Sequence, residues 1–265
     1  MKRHLFIVLN HGDVIEPLPN VKYDRENYLR FFQSPEGGYW EEGEYTVYDD
    51  AFNFSAFREN IQYQRKIQLP YEYIVFVFCG HGGFHNGEKV IQPKAGGGVI
   101  SLNQIKEACQ GIRTLFIADS CLSLPDSSIN ESRLFNSATE RIKDDLYART
   151  CKRLYNKYVL ATPANTFTAG FGVSIGESAD DNERGGYYSQ TLTDTAYRWI
   201  KMLKTDQNFQ KYDHLSFPCI HSFAAKEVIK ITNEKQHPSI EMNRSENQLP
   251  FIIVPKLEYE PHLYL

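Results

Sequence analysis

Apolar residues fall along this chain in short saturated runs separated by amphipathic stretches. Residues 5–9, 73–78 and 115–118 are aliphatic, β-branched or aromatic without polar alternation, the pattern of strands buried on both faces of a parallel sheet. Residues 45–48 form a shorter run of high β-propensity, stopped by Asp49 and Asp50. Between these runs, residues 23–32 and a segment capped by Ser55 and reaching Lys66 have helical character. The resulting order, β-α-β-α-β, predicts a doubly wound α/β sheet. Farther along, Ser101 caps a helix that ends at Gly111, and residues 158–162 predict another strand. Residues 122–135 read as an exposed loop, and residues 167–186, rich in Gly, Ser and acid, as a mobile one. Helices are predicted over 189–203 and 223–231, and a last strand over 251–254.

The bulk numbers narrow the classes. A chain of 265 residues with 42% hydrophobic and 23% charged positions buries a full core as one large domain. A net charge of −4 supplies no basic field for nucleic acid. No apolar stretch approaches the roughly 18 residues that span a bilayer. The N-terminal apolar run is too short for a signal peptide. Five cysteines without a Cys-x-x-Cys pair point to reduced thiols and a cytoplasmic location.

Two strand ends carry chemistry. The run at 73–78 breaks into Cys79-Gly80-His81-Gly82-Gly83, and the run at 115–118 into Asp119-Ser120-Cys121. Ligands of open α/β sheets sit at the carboxyl ends of strands, so parallel neighbours here would present a histidine beside a cysteine. A free thiol is only a few per cent thiolate at neutral pH; an imidazole shifts that balance and can protonate a leaving amine. His81 and Cys121 are separated by one crossover unit. Gly82 and Gly83 let backbone amides approach a carbonyl, and the amides of Gly82 and Cys121 are the candidate oxyanion hole. The plain alternative is that Cys121 is a buried small hydrophobe. Cys79, His81 and His85 do not make a zinc site, since their glycine-interrupted spacing cannot share one helix face. His85 and His11 read as loop histidines. The glycines at 170, 172 and 176 lack the context of a phosphate loop.

Cys79-Gly80-His81-Gly82 and Asp119-Ser120-Cys121 resemble the His and Cys motifs of the caspase-like cysteine peptidases, Asp-Ser-Cys resembling the metacaspase branch in particular. Leu160-Ala161-Thr162-Pro163-Ala164 is similar to the strand and substrate loop after the nucleophile. Residues 185–192 resemble the family's Gly-x-Phe-Thr-x-x-Leu helix start. Gln236-His237-Pro238 with Leu249-Pro250-Phe251 resembles the C-terminal Gln-x-Pro and final strand of prokaryotic members. The resemblance spans nearly the whole chain. It implies a caspase-like three-layer sandwich with a mostly parallel central sheet flanked by helices. It also implies one peptidase domain over 1–265, in which 1–121 resembles the large-subunit region, 122–156 a processing linker and 157–265 the small-subunit region. The chain begins at its first strand, so no recruitment prodomain is expected.

Departures from the family pattern shape the rest. Leu122 and Leu124 replace the His and Gly that follow Asp-Ser-Cys in metacaspases, and Glu88 and Glu107 are the only acids between Gly83 and Ile117. Calcium needs six or more oxygen ligands, so no calcium dependence, metal or other cofactor is expected. The acids Glu177, Asp180, Asp181 and Glu183 read as solvated. Caspases that cut after Asp hold its carboxylate with arginines, one of them in the loop after the strand that follows the nucleophile. The stretch matched to it here, 165–170, holds no Arg, and the position two before the nucleophile is Asp119. An acid in the pocket wall favours Arg or Lys in the substrate. Asp24 lies where metacaspases carry a second pocket acid, and Asp119 could instead cap local amides at the strand exit. Self-cleavage within 122–155 at Arg133, Arg141, Lys143, Arg149, Lys152 or Arg153 follows chemically, against a plain reading of these as surface charges.

The sequence thus predicts a cysteine endopeptidase with Cys121 and His81 catalytic, Gly82 and Cys121 in the oxyanion hole, and Asp119 and Asp24 in the S1 pocket. It would act on protein or peptide substrates and be regulated by a partner protein or small ligand, without nucleic acid or membrane. The family points to a stress, cell-death or anti-phage effector. The rival is a catalytically silent caspase-like scaffold that acts by binding.

Overall fold

The computed structural model describes residues 1–12, 17–94, 96–122, 145–206, 213–243 and 248–256. The first half alternates as the pattern predicts: β1 (Arg3–Leu9), α1 (Val21–Gln33), β2 (Tyr45–Asp49), α2 (Phe54–Lys66) and β3 (Tyr73–Cys79). A hairpin of β4 (Gly82–His85) and β5 (Glu88–Ile91) follows, joined by β6 (Ile100–Ser101), then α3 (Leu102–Ala108) and β7 (Arg113–Asp119). The second half holds α4 (Asp145–Ala161), β8 (Phe167–Phe171), the short pair β9 (Asp181–Asn182) and β10 (Gly185–Gly186), and α5 (Tyr187–Thr205). It closes with β11 (His214–Ser216), α6 (Phe217–Ile231), β12 (Ser239–Met242) and β13 (Pro250–Ile253).

Six strands make the central sheet in the order β12-β8-β7-β3-β1-β2. All neighbours run parallel except β12, which is antiparallel to β8. Every residue of β3 is buried, as its saturated run requires. Alternate side chains divide between two cores. Leu5, Ile7, Val75, Val77, Leu115 and Ile117 meet residues of α1, α4, α5, α6 and β13 on one face. Phe6, Val8, Ile74, Phe76 and Phe116 meet Phe57 and Ile61 of α2 and Leu102 and Ile105 of α3 on the other. Helix layers on both faces of a sheet give the three-layer sandwich.

Four expectations need correction. Residues 158–162 are not a strand: all but Thr162 lie in α4, whose buried Ala148, Cys151, Tyr155 and Val159 recur at helical spacing. The next strand of the main sheet after β7 is instead β8, inside the stretch expected to be a mobile loop. Its sequence, Phe-Thr-Ala-Gly-Phe, carries little strand signal because its neighbours demand small residues. A Cβ on Gly170 would lie 2.5 Å from the Phe217 ring and 2.7 Å from Tyr188 Oη. Helix α2 is capped two residues earlier than Ser55, by Asn53, whose side chain accepts the Ala56 amide at 3.0 Å. Helix α6 starts at Phe217 with Pro218 in its first turn, rather than at Phe223. The cap at Ser101 is a full capping box with Gln104.

The C-terminal segment differs too. The sixth strand of the main sheet is β12, directly after Gln236-His237-Pro238, while the last strand, β13, pairs only with β11. The expected exposed loop at 122–135 and the basic positions Arg133, Arg141 and Lys143 lie, except for Leu122, outside the described residues. Arg149, Lys152 and Arg153 lie on α4, where Lys152 pairs with Glu41 and Glu44. Among the described residues, no helix is long and apolar enough to cross a membrane.

Candidate active site

Three parallel strands end in line. Leu9 is level with Cys79, and Cys79 with Asp119, so the segments leaving β1, β3 and β7 emerge side by side at one sheet edge. Backbone bonds continue the register: the Asn10 amide donates to the Cys79 carbonyl at 2.9 Å, and the Gly80 amide to the Asp119 carbonyl at 3.2 Å. Gly80 has φ +149°, and a Cβ there would lie 2.7 Å from Asn10 Cβ. Only glycine lets the chain turn from β3 into His81 at this spacing.

His81 is held from behind by the β4–β5 hairpin. Asn86 and Gly87 both have positive φ, the left-handed pair that a two-residue hairpin turn requires. The pair flanking such a turn is hydrogen-bonded, and pairs then alternate along the ladder. The Gln92 amide donates to the His81 carbonyl at 2.8 Å, in step with that alternation. Gly82, opposite Ile91, therefore falls at a non-bonded position, and its amide faces away from the partner strand. The Ser120-Cys121 segment packs against the α-carbon of Gly82: a Cβ there would lie 2.7 Å from Ser120 Oγ and 3.0 Å from the Cys121 carbonyl oxygen. The structure thus brings the His81-Gly82 and Ser120-Cys121 segments into contact.

Cys121 is partly buried, and burial pushes its thiol pKa up, with the Ala179 amide pulling it back. That amide donates to Cys121 Sγ at 3.3 Å. Leu122 is buried beside Leu102, Ile105, Phe116 and Phe171 and anchors the segment after Cys121 in the core.

The two acids Asp24 and Asp119 meet at the start of α5. Asp24, in the first turn of α1, and Asp119, at the end of β7, are both buried. Asp24 Oδ1 accepts the Gly186 amide at 2.9 Å, and Asp119 Oδ2 accepts the Ser189 amide at 2.7 Å. Asp119 therefore caps the remote helix α5 rather than amides at its own strand exit. Three glycines pack onto these carboxylates: a Cβ would lie 2.2 Å from Asp119 Oδ2 at Gly186, 2.8 Å from Asp119 Oδ1 at Gly172 and 2.3 Å from Asp24 Oδ1 at Gly185. Burial pushes the Asp119 carboxyl up to about 6 against the Ser189 bonds. Burial and then the charge of Asp119 push Asp24 well above the usual carboxylate range, with the Gly186 amide opposing. Ser189, which the sequence pattern places at a helix start but not in the site, lowers both through its hydroxyl.

Other expected positions resolve differently. The loop after β8 begins at Gly172, so the stretch aligned to the caspase arginine loop is displaced from residues 165–170. From Gly172 the first Arg is Arg184, exposed and 3.7 Å from Asp194. Glu177 is not simply solvated, because its carboxylate accepts the Ser174 amide at 3.0 Å and the His237 amide at 2.8 Å. Asp181 Oδ2 accepts from Asn20 at 3.0 Å. His85 ends β4, and His11 Nε2 lies 2.5 Å from Asp49.

No family model matches the sequence, and no curated protein matches it. Among solved structures, caspase-1 from Spodoptera frugiperda is similar over 90% of this chain and 87% of its own, with a TM-score of 0.55 at 14% identity. The sheet order, the two helix layers and this match agree: the chain has a caspase-like fold.

Proposed function

We propose that the protein is a cysteine endopeptidase that cleaves after Arg or Lys. Cys121 attacks the scissile carbonyl carbon and His81 takes the thiol proton. The amides of Gly82 and Cys121 hold the tetrahedral oxyanion. His81 then protonates the leaving amine, and water hydrolyses the thioester with His81 again as base. Contact between the Gly82 and Ser120-Cys121 segments supports the oxyanion assignment.

The observation that carries the specificity is the buried Asp24–Asp119 pair. Among the described residues its bonding partners are the Gly186 and Ser189 amides and the Ser189 hydroxyl, so the carboxylates meet dipoles there and not a cation. A guanidinium or ammonium group supplies the missing charge, whereas an acidic side chain adds to the negative charge already there. A peptide-library digest tests this. Cleavage after Arg and Lys that vanishes in Cys121→Ala supports it, and cleavage mainly after Asp contradicts it.

The resemblance to prokaryotic members extends the proposal to a regulated stress, cell-death or anti-phage effector acting on protein substrates. The rival reading, a catalytically silent scaffold, draws on the contact of Ala179 with the thiol. Absence of peptide cleavage alongside a partner-binding phenotype that survives Cys121→Ala would favour that rival.

A further inference from the structure

The segment at 174–182 runs directly over the nucleophile. Besides the Ala179 amide on Cys121 Sγ, the Leu122 amide donates to the Glu177 carbonyl at 2.9 Å and the Gly176 amide to the Leu122 carbonyl at 3.0 Å. The residue after the nucleophile is thus paired with this segment as in a short ladder. An extended peptide needs the same space beside Cys121.

The segment is fastened at both ends. Glu177 Oε1 lies 2.6 Å from His237 Nδ1, and Glu177 Oε2 accepts the His237 and Ser174 amides. Ser174 Oγ donates to the His237 carbonyl at 2.8 Å. Gln236 Nε2 reaches the Ser178 carbonyl at 3.3 Å and the Asp180 carbonyl at 3.5 Å. At the far end, Asn20 of the chain before α1 bonds Asp181, and the Tyr187 amide bonds the Asp180 carbonyl. Gln236 and His237 belong to the connection between α6 and β12, so their side chains and backbone tie the segment to the edge of the main sheet.

We infer that residues 174–182 are an autoinhibitory strap, fastened by Glu177–His237 and Gln236, that keeps Cys121 from a substrate in the resting protein. The inference rests on reading Cys121 as the nucleophile. The Glu177–His237 pair is partly exposed, His237 45% and Glu177 23% at their side chains, and such pairs are individually weak, whereas Gln236 is buried. A strap held this way opens by loss of a few contacts while both cores stay packed.

Alkylation of the wild type, Glu177→Ala and His237→Ala by iodoacetamide, followed residue by residue by mass spectrometry, tests the strap. This reagent needs no peptidase activity. Buried Cys79, Cys109 and Cys151 serve as internal reporters of folding. Glu177→Ala, which removes three contacts, is expected to label Cys121 about tenfold faster and His237→Ala, which removes only the side-chain pair, about threefold faster, with the three buried thiols protected as in the wild type. An unchanged rate at Cys121 overturns the strap. An equal rise at the buried thiols also overturns it, because the pair would then be holding the fold. Faster labelling at Cys121 without peptide cleavage supports the strap and contradicts the peptidase reading, so the two fail separately.

Discussion

Asp24 and Asp119 come from the start of α1 and the end of β7, yet both carboxylates are buried at the start of α5. The amides that receive them, Gly186 and Ser189, are three positions apart. A helix N-terminus stabilises anionic groups, but two of them in one buried site repel each other and lack solvent. The arrangement is costly for an isolated fold and useful for holding a cation.

Asp119→Asn and Asp24→Asn are expected to lower kcat/KM for peptides cleaved after Arg by about 100-fold or more, since each removes a charge-assisted contact and leaves a polar isostere. Steady-state rates on matched Arg and neutral P1 peptides check this. Equal losses on both peptides would place the acids outside the specificity pocket.

The same substitutions are expected to stabilise the protein. Both folded-state carboxyl values are raised, so these groups favour folding at acidic pH; Asp119 loses that contribution as pH rises from 3.8 through about 6, and Asp24 loses its own above the usual carboxylate range. Asp119→Asn should raise Tm by roughly 4 °C at pH 7.5 and by less at pH 4.5, on the order of 1–2 kcal/mol. Melting curves at the two pH values settle the sign. For the wild type, kcat/KM on Arg peptides should rise with pH through about 6 as Asp119 ionises.

Gly82→Ala places a methyl 2.7 Å from Ser120 Oγ and 3.0 Å from the Cys121 carbonyl. Spreading those loops misplaces the oxyanion amides, and kcat should fall about 100-fold with KM little changed. Presteady-state acylation of an ester substrate measures the step directly.

Much of the fold was legible because the strands at residues 5–9, 73–78 and 115–118 are buried on both faces, and such runs have few alternatives. The strand ends that carry His81 and Cys121 were legible for the same reason: both follow those runs. What the sequence hid depends on tertiary contact. Strand β8 is built from small residues because Tyr188 and Phe217 press against Gly170, and local propensity carries no trace of that pressure. The apolar run at 158–162 is short enough to suit either a strand or a buried helix turn, and only the wider spacing from Ala148 to Val159 decides for α4. The β4–β5 hairpin did have a local signal, the Asn86-Gly87 dipeptide. Ser189 and the Glu177–His237 fastening had none, because each joins positions far apart in the chain.

Gly170→Val gives a stability check on that strand. A larger side chain between Phe217 and Tyr188 should destabilise by about 2 kcal/mol, whereas a solvent-exposed loop position would tolerate it within about 0.5 kcal/mol. Denaturant unfolding of the variant distinguishes the two.

The central claim, a Cys121 nucleophile beside an acidic specificity pocket, is tested most directly by an arginyl chloromethyl ketone followed by intact mass and peptide mapping. The account predicts one adduct on Cys121, absent from Cys121→Ala, retained in Cys109→Ala and formed more slowly in Asp119→Asn. An adduct that persists in Cys121→Ala, or labelling of Asp119→Asn as fast as the wild type, would contradict it.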